Sequence, residues 1–198
     1  MTFYSLARSV VYLVSKLIYR VEYQGLENIP SGGFILCSNH ISQYDPIFVA
    51  VKVKQQCFFM AKEELFRFKP LGMLIRALGA FPVSRGKGDT AAIDRAVSLV
   101  QGGQVVAIFP EGTRSKTGEL LKLKSGAVVI AAQTGCGLLP CIIKKGKRHF
   151  LRRPVVVRYG NFITHEQLGI TSNVPSQIRA ANRMLTESLA GLLEDTHV

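Results

Sequence analysis

A chain of 198 residues with 47% hydrophobic side chains is long enough for one domain with a real core and too apolar for a disordered tail. Its formal net charge of +12 is large for that size and calls for an anionic partner: nucleic acid, an acidic membrane surface or a phosphorylated substrate. Cys37, Cys57, Cys136 and Cys141 form no CxxC pair and no zinc-finger spacing, which makes them buried thiols of a reducing compartment rather than disulfides or metal ligands.

Residues 1–20 carry apolar side chains at Phe3, Leu6, Val10, Leu13, Val14 and Leu17, with Arg8, Lys16 and Arg20 between them: a helical period with a basic polar face. No stretch reaches the roughly 18–20 unbroken apolar residues of a spanning helix. No small-residue cleavage site follows, so a signal peptide is not expected either. The spacing predicts an amphipathic helix over 1–22 lying in a membrane interface, with Tyr4, Tyr12 and Tyr19 at headgroup depth. The alternative is an ordinary helix packed on the domain. Residues 21–31 read as a linker into a domain spanning 23–198.

From there strands and helices alternate. A strand over 33–38 leads to a helix over 45–53, with Asp45 as N-cap and Pro46 at its first position. A strand over 57–61 precedes an apolar, cation-studded helical stretch over 65–78 around Pro70, which reads as core packing, as a wall for a fatty chain or as a patch in a bilayer. A strand over 80–83, a helix over 89–100 capped by Asp89 and a strand over 104–109 come next. A helix over 125–134, strands over 138–143 and 155–159 and a helix over 175–193 complete the chain. The pattern implies an α/β single domain, its central sheet mostly parallel or mixed and flanked by helices, preceded by the amphipathic helix.

Four candidate site elements each begin where a strand ends: His40, Lys62, Arg85 with Ser84, and the turn Glu111, Gly112, Thr113, Arg114. Open α/β sheets bind ligands outside the carboxyl ends of their strands, so a base and several cations are expected on one edge. Imidazole has the side-chain pKa nearest neutrality and can take a proton from an alcohol and return it. Asp45, five residues after His40, can orient the ring if the backbone turns back between them. Against this stand plainer roles: a helix cap for Asp45, a structural histidine, a surface turn at 111–115 and a solvated lysine at 62. Arg114 suits a phosphate because a guanidinium grips it bidentately. No serine or cysteine makes a convincing nucleophile and no G-x-S-x-G elbow occurs, so the histidine is expected to activate a substrate hydroxyl directly. Lys144, Lys145, Lys147, Arg148, Arg152 and Arg153 form a basic run, read as a solvated loop or as adhesive to anionic lipid. A nucleic-acid surface would want interleaved aromatics, and only Phe150 is there.

Taken together these blocks resemble the PlsC-type glycerolipid acyltransferases. His40 through Asp45 is similar to the family's HX4D block, and Gly79-Ala80-Phe81-Pro82-Val83-Ser84-Arg85 to its second. Phe109-Pro110-Glu111-Gly112-Thr113-Arg114-Ser115 resembles the third, and the apolar segment 128–142, with Pro140 inside Leu138-Leu139-Pro140-Cys141-Ile142, the fourth. The resemblance covers roughly residues 25–160. It implies a glycerol-3-phosphate acyltransferase-like fold and acyl transfer from acyl-CoA or acyl-carrier protein to the sn-2 hydroxyl of lysophosphatidic acid. It further implies His40 as base, Asp45 as its orienter and no acyl-enzyme. Glu111, Gly112, Thr113 and Arg114 would form the acceptor site, with Lys62 and Arg85 as further phosphate cations. No metal and no tightly bound cofactor are implied. The expected setting is the cytoplasmic face of the cell membrane, bound peripherally or monotopically, with an anionic membrane surface as partner and no nucleic acid. Glycerol 3-phosphate or another lysolipid remains open as acceptor. A non-catalytic basic protein that binds membrane or nucleic acid is the rival from another class.

Overall fold

The structure, a computed structural model, describes residues 3–84, 89–147, 152–172 and 174–198. Seven strands build one sheet. They are β1 (Tyr19–Gln24), β2 (Phe34–Ser38), β3 (Cys57–Lys62), β4 (Ala80–Val83), β5 (Val105–Ile108), β6 (Leu138–Lys145) and β7 (Arg153–Tyr159). Their order is β1-β7-β6-β2-β5-β3-β4. All neighbours run parallel except β6 and β7, so the sheet is mixed and β1 and β7 run against the rest.

Strand alternation divides the core into two layers. Ile35 and Cys37 of β2, with Leu138 and Ile142 of β6, face the layer of α4 (Thr90–Gln101), α5 (Gly126–Thr134) and α7 (Pro175–Glu194). Phe34, Leu36, Leu139, Cys141 and Ile143 face the opposite layer, where α2 (Asp45–Ala50) contributes Phe48 and Val49. β2 is buried at all five positions because it lies mid-sheet with helices on both faces. α3 (Lys69–Ala77) crosses from β3 to β4.

Several expectations need correcting. Residues 19–24, assigned partly to the helix and partly to a linker, form edge strand β1, which pairs with β7 in register Tyr19 opposite Arg153. The 65–78 stretch is not one helix. A 3-10 turn, Glu63–Phe66, precedes α3, which starts at Lys69 with Pro70 in its first turn, the place where a missing N–H is tolerated. Asp45 does not cap α2; it occupies the first helical position and its carboxylate turns back to the preceding loop. A short helix, α6 (His165–Leu168), closed by a Thr164–Gln167 capping box, was not foreseen.

The N-terminal helix α1 (Phe3–Ile18) is amphipathic but faces the other way from an ordinary packed helix. Its polar side meets the domain: Tyr4 Oη accepts from the Cys57 N–H at 3.1 Å, Arg8 donates to the Val53 carbonyl, and Ser15 is buried. Tyr12 stands over Tyr23, and Tyr19 packs edge-on against Phe48 at 5.2 Å, so these tyrosines serve the fold rather than a headgroup layer. Leu6, Val10, Leu13, Val14, Leu17 and Ile18 point outward, Leu17 with 73% of its surface exposed.

Candidate active site

β2 ends at Ser38, and the next residues sit between the carboxyl ends of its two parallel neighbours, β5 and β6. Asn39 fixes the exit. Its side chain is buried; Oδ1 accepts from the Ile143 N–H at 2.7 Å and Nδ2 donates to the Ile143 carbonyl at 3.0 Å. That clamp to β6 turns the following residue out over the sheet edge.

His40 is held from three sides. Its backbone N–H donates to Glu111 Oε1 at 2.6 Å, and its carbonyl accepts from the Ser115 N–H at 2.7 Å. The imidazole lies flat on Phe109, with ring centroids 4.2 Å apart and planes 21° apart. Nδ1 stands 2.9 Å from Asp45 Oδ2. The same Oδ2 accepts from the N–H groups of Ile41 and Ser42, each at 2.6 Å, so the backbone does turn back within five residues. Asp45 is wholly buried. A carboxylate accepting at Nδ1 keeps the ring proton there and leaves Nε2 as the basic nitrogen.

Glu111 has a different place from a substrate ligand. It is buried, and its second oxygen accepts from the Leu121 N–H at 2.9 Å. Burial pushes its carboxyl above the usual range; the N–H groups of Leu121 and His40 pull the other way. Both oxygens are spent on backbone, so the residue ties the loop after β5 to His40. Gly112 follows at φ +69°, and a Cβ there would stand 2.8 Å from Lys124 Nζ, so the turn leaves little room for a side chain. Thr113 and Arg114 are exposed on the same loop, and no ion pair among the described residues engages Arg114.

Lys62 ends β3 on the same edge but is exposed and paired with Glu64 at 2.9 Å, a surface ion pair rather than an unpartnered cation. Arg85 lies outside the described residues. A cleft of about 760 Å³ opens beside β3 and β4, with Phe58, Phe66, Phe81 and Pro82 in its lining together with Arg67 and Arg95.

The structure adds two residues that the sequence did not single out. Asn39 is one. The other is Lys145, counted above in a solvated basic run. It ends β6 with its ammonium 3.6 Å from Asp45 Oδ1 and only 10% of its side chain exposed. Its neighbour Lys144 points to the opposite face and donates to the carbonyls of Leu193 and Thr196. Strand alternation could have separated the two lysines; nothing in the sequence pointed to Asp45 as the partner.

Comparison with known proteins shows the family. A family model described as Acyltransferase matches residues 20–144. The chain is 33% identical over 156 residues to a 1-acyl-sn-glycerol-3-phosphate acyltransferase of Bacillus subtilis (strain 168), covering 73% of this chain and 77% of that one. It is 36% identical over 126 residues to the chloroplastic 1-acyl-sn-glycerol-3-phosphate acyltransferase BAT2 of Brassica napus, covering 62% of this chain and 36% of that longer one. Among solved structures, the 1-acyl-sn-glycerophosphate (LPA) acyltransferase PlsC of Thermotoga maritima superposes with a TM-score of 0.73 at 26% identity, covering 98% of this chain and 83% of that one. The histidine–aspartate pair at the end of a central strand therefore sits in a chain that belongs to the acyltransferase family.

Proposed function

We propose that this chain transfers a fatty acyl group from an acyl thioester, acyl-CoA or acyl-carrier protein, to the sn-2 hydroxyl of lysophosphatidic acid, giving phosphatidic acid. The observation that carries the reading is the 2.9 Å contact between His40 Nδ1 and a fully buried Asp45. The names of the relatives supply the acceptor class.

In this reading His40 Nε2 takes the proton of the sn-2 hydroxyl, and the oxygen attacks the thioester carbonyl. Collapse of the tetrahedral intermediate expels the thiolate, which recovers the proton from the imidazolium. Asp45 stabilises that imidazolium and holds its orientation. The attack is direct, because Cys37, Cys57 and Cys141 are buried and burial raises their thiols, which leaves them poor nucleophiles. Arg114 binds the acceptor phosphate, and Glu111 acts on His40 through its backbone.

The outward stripe of α1 supports seating on a bilayer. Among the described residues no helix is long and apolar enough to cross a membrane. Contiguous exposed apolar surface of this kind marks an interface with lipid or protein. Leu65, Phe68, Leu71, Met73 and Leu74 add a second exposed apolar patch, studded with Arg67, Lys69 and Arg76, whose charges repel another copy of the chain and attract anionic headgroups.

The test is acyl transfer by purified protein, with lysophosphatidic acid and glycerol 3-phosphate as acceptors and both thioester classes as donors. His40→Ala is expected to abolish transfer while vesicle binding persists. Activity near wild type would remove His40 as the base. Arg114→Ala is expected chiefly to raise KM for lysophosphatidic acid.

A further inference from the structure

Lys145 is an expensive residue to keep where it is. Only 10% of its side chain is exposed, and burial lowers its ammonium below the usual lysine range, the Asp45 carboxylate acting in the opposite sense. It projects from the last position of β6 onto the face that carries α2, over the Phe48 ring at 5.8 Å. There it meets Asp45 Oδ1. That oxygen is buried and has no hydrogen-bond partner among the described residues; Oδ2 takes all three. Among the described residues the ammonium is thus the one cationic group in an ion pair with the idle half of the carboxylate, at a distance that is ionic rather than a short hydrogen bond.

We propose that Lys145 is a positioning residue for the His40–Asp45 unit, its ammonium holding the Asp45 carboxylate by Oδ1 so that Oδ2 stays on the imidazole. This rests on His40 acting as the base. Lys145 does so from one strand and Asp45 from the next helix, so the base is tuned by the register between β2 and β6. The effect is electrostatic as well as geometric. The ammonium behind Asp45 offsets part of the field that the carboxylate exerts on the ring, and removing it leaves that field uncompensated. Among the described residues, the other charged or titratable groups facing this unit are Glu111 from the loop after β5, Arg153 from β7, Tyr19 from β1 and Tyr44 from the loop before α2.

The test compares Lys145→Met, Lys145→Gln and Lys145→Arg with the wild type in the acyl-transfer assay across pH. Removing the charge is expected to lower kcat by up to about 100-fold, the cost of misplacing a catalytic group by about 1 Å. KM for both substrates is expected to stay within about two-fold. With the ammonium gone, the acidic limb of kcat/KM moves to higher pH by about half to one unit. Lys145→Arg keeps the charge and is expected to retain most of kcat with the limb unmoved. Lys145→Gln, which is neutral but polar, gives the same readout if Lys145→Met does not fold. An unmoved acidic limb in a folded neutral variant overturns the proposal. So does a rise in KM for lysophosphatidic acid without loss of kcat, which would make Lys145 a phosphate ligand. Wild-type activity in His40→Ala overturns the underlying reading instead, so the two failures are distinguishable.

Discussion

Replacing Asp45 with asparagine tests how the buried charge cluster is held. Asparagine can keep its carbonyl where Oδ2 lies, facing the N–H groups of Ile41 and Ser42 and the His40 ring. Its amide nitrogen then replaces Oδ1 and meets the Lys145 ammonium, donor against cation. Two charge-assisted backbone bonds become neutral, worth about 1 kcal/mol each. The ammonium is left buried without its counter-ion, which costs about 3–5 kcal/mol before the lysine relieves part of it by losing its proton. A net loss of about 3–5 kcal/mol is expected, a fall of about 1–2 M in the urea midpoint. kcat is expected to drop at least about 100-fold, because the imidazolium loses its anion. The second variant, Asp45→Asn with Lys145→Met, removes the stranded charge and is expected to be more stable than Asp45→Asn alone by about 2 kcal/mol. The measurements are urea unfolding followed by far-UV circular dichroism and acyl transfer at saturating substrate. A single-variant midpoint within about 0.3 M of wild type, or a double variant less stable than the single, would refute the reasoning.

Asn39→Ala strands the buried N–H and carbonyl of Ile143 and is expected to destabilise by about 2–4 kcal/mol. At about 2–4 °C per kcal/mol that lowers Tm by about 4–16 °C; a fall under about 2 °C by calorimetry would show that the clamp is dispensable. In the folded protein at pH 8, Cys57, pushed up to about 12 by burial, and the equally buried Cys37 and Cys141 are expected to resist a disulfide exchange reagent. Only the half-buried Cys136 is open to slow reaction; rapid labelling of two thiols without denaturant contradicts this. Leu13→Glu with Leu17→Glu is expected to weaken binding to anionic vesicles at least about ten-fold, since each buried leucine is worth about 1.5–3 kcal/mol, while Tm changes by less than about 2 °C. Unchanged sedimentation with vesicles would remove α1 from the membrane contact.

The sequence made legible what depends on local pattern. The strand Ala80–Val83 and the Asp89 cap of α4, which accepts from the Ala92 N–H at 3.0 Å, are where the turn chemistry puts them. The site elements at strand ends follow from strand–helix alternation alone. β1 was missed because no glycine or proline separates Ile18 from Tyr19 and the edge strand is only half buried, so the helical period runs on into it. Only pairing with β7, far along the chain, makes it a strand. The same holds for Lys145 and Asn39. One reads as solvated charge and the other as part of a turn, until β6 is laid beside β2. Asp45 misled in a different way. A carboxylate before a proline is a good cap signal, yet here the preceding loop offers two N–H groups that hold it more tightly.

The pairing of β1 with β7 bears on how the chain is made. Tyr19 lies opposite Arg153, so the strand that leaves the ribosome early cannot dock until almost the whole sheet has been synthesised. Contacts this distant in sequence form late and slowly. Until β7 is made, α1 and its outward leucines are tethered to the chain but not yet fixed against the sheet. The last strand pairing then sets the sheet edge that carries His40 at a fixed distance from that helix.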